Sequence, residues 1–307
     1  MKISKKSISL SDPILFQESE SATTAIISII LLMGIIFSVF AMVQLGHVPE
    51  WKNDIEYIQM GDIREDMAKL KSKIDVMTVV LAANPDSPKN EISTNVPFHM
   101  RKWEVPLIGA IKSSGSVSMN KDRCKMTVFM ENQTACIIDC GTVTYRSNNR
   151  YYVNQVFKYE NGALILAQKN QSAMKLYPAI RVTKNPHGNY SFSVNAVEIR
   201  GSRNTLSSNT GGSIRLEGHN FETLLDTNDY ENVSSFGITI DSEYPGAWES
   251  YLNEMMTNAG LEKDTDYNLN IVGNDHVYIS FPEEGSSYSL DRLLVSKTAV
   301  NAELYIG

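Results

Sequence analysis

The chain has 307 residues, 42% hydrophobic and 21% charged, with a net charge of -7. That length supports one large or two ordinary domains with a real core, and a mean hydropathy of -0.21 excludes a multi-span transporter. The acidic balance, with no basic stripe anywhere along the chain, argues against a nucleic-acid partner.

The first element is an apolar run. No Asp, Glu, Lys or Arg occurs between Glu20 and Glu50, and about 20 apolar residues suffice for a helix to cross bilayer hydrocarbon. A signal-peptide core has only about 7–15 apolar residues, whereas this run continues into Met42, Val43 and Leu45. We therefore expect a leader over 1–20 and a transmembrane helix over 21–48. Lys2, Lys5 and Lys6 precede the run and only Lys52 follows closely. The positive-inside rule then puts the N-terminus in the cytoplasm and the C-terminal bulk outside the cell, on a single-pass membrane protein. Within the helix, Ala25, Ser28, Gly34, Ser38 and Ala41 set small side chains among large ones. Such residues let helices pack closely in a membrane, so the span reads either as a surface for self-assembly or as a plain anchor.

The second element is amphipathic. Trp51, Ile55, Ile58, Ile63, Met67, Leu70, Ile74, Met77 and Leu81 recur at steps of three and four, with one slip beside Gly61. This predicts a helix over 49–83, with Pro49 in its first turn and a bend near Gly46–Pro49. It reads as a stalk or coiled-coil seam, or as a helix laid on its own domain. The slip favours the latter over a long two-stranded coiled coil. Residues 84–104, with three prolines at Pro85, Pro88 and Pro97, read as a linker.

From Val105 onward the pattern changes to short alternating segments such as CKMTVFM, YSFSVNAVEIR and HVYISF, separated by turn residues. Residues 105–307 therefore read as an antiparallel β-sandwich-like domain. One helix is inserted, with Pro245 at its start and Gly260 as its stop, and Arg200–Ser213 reads as a mobile loop. The fold class is α+β.

Chemistry-bearing motifs are sparse. His47, His99, His187, His219 and His276 are scattered, with none at zinc-ligand spacing. There is no HExxH, nucleophile elbow or phosphate-cradling Gly-Lys-Ser/Thr loop. Asp264, Asp266 and Asn268 begin like a calcium loop, but Leu269 stands where the glycine belongs, and Tyr267, Leu269 and Ile271 alternate as in a strand. No catalytic, cofactor or metal site is expected, and the chain reads as no enzyme. Sequons at Asn132, Asn170, Asn189 and Asn232 are glycan acceptors if the domain lies outside the cell. Cys136 and Cys140 stand too far apart along one strand for a disulfide. A hairpin turning at Asn132 brings Cys124 opposite Cys140, which leaves two readings: a disulfide, or three buried thiols.

A short polar leader, an apolar helix, an amphipathic continuation and a β-rich head together resemble the type IV pilin and archaellin class. SATTAIISIILLMGIIFSVFAMVQLG, VPEWKNDIE, VPLIGAIKSSGSVSMN and YPGAWESYLNEMMTNAGLEKDTDYNLNIVGNDHVYISF are similar to pilin-like surface proteins of methanogenic archaea. The likeness implies a structural or adhesive cell-surface role, anchored or assembled through the apolar helix. A second reading is an uncleaved, membrane-anchored binding module that contacts the surface layer or pilus and archaellum components. The leader departs from the class, which usually places a basic residue and a small residue just before the apolar segment: Phe16–Ser21 holds no Lys or Arg, and the nearest lysine is Lys6.

Overall fold

The computed structural model describes residues 15–84, 92–100, 103–105, 109–111, 114–130, 136–207, 211–230 and 233–306. Two compact units divide the chain, Met1–Asn53 and Asp54–Gly307.

The first unit is helical. Helix α1 (Leu15–Met42) begins six residues before the boundary expected at 21. From Thr23 to Met42 every residue is exposed, including Ile30, Leu31 and Phe37. Apolar surface left bare to this extent is unfavourable in water and is at home in lipid. The helix that begins here is long and apolar enough to cross a membrane. Ala25, Ser28, Gly34, Ser38 and Ala41 are all exposed. Ser28 Oγ donates to the Thr24 carbonyl at 2.8 Å, which keeps the hydroxyl satisfied inside the apolar stretch.

At the site of the expected bend, the chain stays helical and widens. Val43–His47 forms a π turn in which the Val48 N–H donates to the Val43 carbonyl, five residues back. Helix α2 (Val48–Ala83) follows directly. Pro49 has no N–H to offer the ordinary ladder, and a wide turn beside it re-pairs a neighbouring carbonyl without ending the helix.

In the second unit, α2 lies on its own domain. Met60, Ile63, Met67, Leu70, Ile74 and Met77 are buried at steps of three and four and share one core with the sheets, so the seam of a free stalk is not available. Before Gly61 the buried face differs from expectation: Ile58 is exposed, whereas Glu56, Gln59 and Met60 are buried. The Glu56 carboxylate sets this phase. It accepts backbone N–H groups from Arg150 at 3.0 Å, Tyr151 at 2.7 Å and Tyr152 at 2.6 Å. Farther along, buried Asp66 takes the His99 backbone N–H at 2.8 Å.

The strands in chain order are β1 (Ser93–Phe98), β2 (Trp103–Val105), β3 (Gly109–Ile111), β4 (Ser114–Met119), β5 (Lys125–Met130) and β6 (Cys136–Asp139). Next come β7 (Thr142–Asn148), β8 (Gln155–Glu160), β9 (Ala163–Gln168), β10 (Gln171–Leu176), β11 (Ile180–Lys184) and β12 (Tyr190–Arg200). They are followed by β13 (Asn204–Leu206), β14 (Gly212–Asp226), β15 (Phe236–Asp241), helix α3 (Pro245–Asn258), β16 (Asn268–Val272), β17 (His276–Phe281) and β18 (Leu290–Ile306). Three sheets result, in the orders β1-β14-β18-β12-β11, β10-β9-β8-β7-β4-β13 and β16-β17-β15-β5-β6, beside a β2-β3 ribbon. Pairing is antiparallel except between β12 and β18.

That parallel pair joins two cores. Along β12 the buried residues are Tyr190, Phe192, Val194 and Ala196, then Val197 and Ile199. Side chains alternate faces along a strand, so the phase change at Ala196–Val197 turns the opposite face inward. β18 changes over at Val295–Ser296, opposite Val194–Asn195, two residues before the change on β12. The first set packs with α3 and β15–β17, and the second packs with α2, β4 and β7. Asn195 marks the crossover, accepting from Ser296 Oγ at 3.2 Å.

Two stretches expected to be irregular hold strands. β1 lies within the expected linker and pairs with β14 at the sheet edge. Pro97 is tolerated there because an edge strand needs no N–H on its outer side. Within the expected loop Arg200–Ser213, β13 pairs with β4. Both strands take their partners from distant sequence.

Candidate functional site

Where the three sheets meet, an open cleft of about 700 Å³ is lined by Asn120, Asp122, Arg123, Lys125, Asp139, Glu198, Arg200, Arg203 and Asp241, among others. β4 ends at its floor, β5 and β6 form one wall, and the end of β12 forms another.

The floor is built by Asn120, which sits at φ 52, in the left-handed region that asparagine tolerates better than most residues. Its side-chain amide donates to the carbonyls of Ile199 and Gly201, both at 3.1 Å. Its Oδ1 accepts the Thr142 N–H at 2.9 Å. One side chain thus ties β4, β7 and β12 together. Gly141, at φ +71, makes the close approach possible: a Cβ there would stand 2.5 Å from the Ile199 carbonyl oxygen.

The cleft's charges fall into two groups. Asp122 accepts from Thr144 Oγ1 at 2.7 Å and from Arg146 Nη2 at 3.1 Å. Arg146 also reaches Glu243, Glu243 lies 3.4 Å from Lys158 Nζ, and Lys158 lies 2.9 Å from Glu160. A chain of charge therefore runs from the cleft into the buried interior, where Glu160 also accepts from Trp248 Nε1 at 2.7 Å. Burial works against the Lys158 ammonium, but Glu160 and Glu243 outweigh it and hold its pKa above the ordinary value. Arg200 pairs with Glu198 at 2.9 Å. Burial opposes the Glu198 charge, and its bonds to Arg200 and Lys297 carry its pKa below the ordinary value. Asp241 takes His276 Nδ1 at 2.7 Å. Arg123, Lys125 and Arg203, by contrast, have no ion pair or hydrogen bond through their side chains among the described residues.

Beneath the cleft lie two thiols. β5 and β6 pair with Lys125 opposite Asp139, so the expected register holds and Cys124 faces Cys140, whose N–H donates to the Cys124 carbonyl at 2.9 Å. All three cysteines are free thiols in this structure. Hydrogen bonding to Cys140 and burial push the Cys124 thiol well above its usual range. Cys136 pairs with Val128 instead and is only half-buried.

Residues 101–287 match a family of unknown function, DUF7289. The chain belongs to that family. All the cleft residues named above lie within the matched DUF7289 region, whereas α1, α2 and β18 lie outside it. No curated protein and no solved structure matches the chain.

The other expected sites are dispersed. Asn170 is exposed in the turn between β9 and β10, and Asn189 is half-buried with its N–H on Asn185 Oδ1 at 2.9 Å. Asn132 and Asn232 lie outside the described residues. The Asp266 carboxylate turns inward to the Glu262 N–H at 2.9 Å and Ser286 Oγ at 3.0 Å. No group of three or more His, Cys, Asp or Glu side chains suited to a metal occurs among the described residues. Sequence reasoning missed the cleft because its residues come from segments as far apart as Asn120 and Asp241. The signal it held was Asn120 and Gly141 at strand ends, where turn residues with left-handed backbone mark sharp redirections.

Proposed function

We propose that the chain is a membrane-tethered surface protein of pilin-like build, with a structural or adhesive role. The observation that carries the reading is the division of labour along the N-terminal helices. Thr23–Met42 are apolar and unburied, and from Met60 onward α2 buries a regular stripe in the folded domain. The first part suits lipid or the apolar helices of sister copies, and the second belongs to the core of the folded domain.

The charged cleft favours a second reading, an uncleaved single-pass binding module that displays the β-rich domain to the surface layer or to an archaellum-type machine. Both readings assign binding rather than catalysis. Both put the domain outside the cell, where Asn170 in its exposed turn is the best-placed glycan acceptor.

Fractionation tests the common part: the full chain partitions with membranes, and a chain lacking residues 1–48 does not. If the shortened chain remains in the membrane fraction, the tether is elsewhere and both readings fail. Mapping the mature N-terminus then separates them, since assembly of the pilin type requires the leader to be removed.

A further inference from the structure

We propose that the cleft where the three sheets meet is a binding site for an acidic carbohydrate, Arg123, Lys125 and Arg203 taking sugar carboxylates and its acids taking sugar hydroxyls. The inference concerns the folded domain alone and holds for either reading of the tether.

Size and build come first. About 700 Å³ lies within the range of small-ligand sites, roughly 300–1,000 Å³. The floor is held by the Asn120 clamp and by two glycines whose backbones approach other strands too closely for a side chain. At Gly141 a Cβ would meet the Ile199 carbonyl, and at Gly201, φ +158, it would meet the Ala302 carbonyl. A floor locked by backbone contacts loses little freedom when a ligand docks.

Charge then selects the ligand class. The chain as a whole carries a net charge of -7, yet Arg123, Lys125 and Arg203 converge on this cleft without ion-pair partners among the described residues. Within the same cleft Arg200 is by contrast paired with Glu198. A guanidinium fork matches the two oxygens of a carboxylate. Four acids, Asp122, Asp139, Glu198 and Asp241, stand among those cations. They disfavour a densely charged phosphate and are acceptors for hydroxyl donors. Among the described residues no aromatic side chain lines the cleft, so it offers no stacking platform of the kind nucleobases use. Singly charged carboxylates on a hydroxyl-rich scaffold satisfy all these features, and that is the chemistry of uronic-acid sugars.

The test is calorimetric titration of the full chain in detergent micelles with trigalacturonate. Arg123→Gln and Arg203→Gln, both at exposed positions, should each weaken binding about tenfold at an unchanged melting temperature. Lys175→Gln, on an exposed strand outside the cleft, should leave affinity unchanged. Maltotriose, which lacks carboxylates, should not bind, and inorganic phosphate at equal concentration should not displace the acidic sugar. The proposal is overturned by the absence of trigalacturonate binding or by wild-type affinity in both arginine variants. Equal binding of maltotriose, or displacement by phosphate, overturns it as well.

Discussion

The Lys158 ammonium lies 2.9 Å from the Glu160 carboxylate, and neither side chain is exposed to solvent. Their alignment leaves Glu160 Oε2 without a proper hydrogen bond, so charge holds the contact. Glu160 also anchors Trp248 of α3, which makes the pair a tie between β8 and the helix.

Removing Glu160 leaves the buried Lys158 ammonium with Glu243 alone, at 3.4 Å. Glu160→Gln is expected to cost about 3 kcal/mol, because breaking a buried pair from one side leaves the other ion poorly compensated. The double change Lys158→Met with Glu160→Gln should recover much of that loss. Urea melts of the two single variants and the double variant read the coupling, and simple additivity would contradict it.

Gly141 and Gly188 provide a matched pair. Both have positive φ, but a Cβ at Gly141 would meet the Ile199 carbonyl, whereas at Gly188 nothing lies within 4 Å. Gly188→Ala should therefore cost only the left-handed backbone penalty, about 1–2 kcal/mol. Gly141→Ala should cost clearly more and should distort the cleft floor. Equal melting temperatures for the two variants would show that the close approach does not matter.

The thiols are expected to differ in reactivity. Cys136, half-buried, should alkylate first in the native protein, because Cys124 and Cys140 are buried and the Cys124 thiol resists ionisation. With oxidised glutathione as acceptor of the two electrons and protons, Cys124 and Cys140 should join, as their opposed register allows. The closed loop of roughly 15 residues should then add about 3 kcal/mol of stability. Peptide mapping that finds Cys136 in the crosslink would rule out this register in solution.

His276 should make stability pH-dependent. The bond to Asp241 raises its pKa above 6.5, slight burial opposes this, and the charges of Asp241 and Asp275 add to the rise. A raised folded-state value means that protonation favours the folded form. The contribution is therefore complete below 6.5 and is lost as pH rises through the folded value. The gap in melting temperature between wild type and His276→Gln should close across that window. A gap independent of pH would place the effect in packing instead.

An uncharged apolar run and a regular three-four stripe are local patterns, so the lipid-suited helix, its amphipathic continuation and the β-rich remainder were legible in the sequence alone. The hairpin register of Cys124 and Cys140 was equally local, since it depends only on counting from a turn. Tertiary structure decided the rest. Ile58 gave way to Met60 on the buried face of α2 because Glu56 is held by three N–H groups some 95 residues away along the chain. Ser93–Phe98 became a strand because β14 offered an edge. The change of buried face along β12 is accompanied by one on its parallel neighbour β18, two residues earlier in the register. The cleft exists only because Asn120 reaches Ile199 and Gly201. Periodicity reports how a segment meets an average environment, and it carries no information about which distant segment supplies the partner.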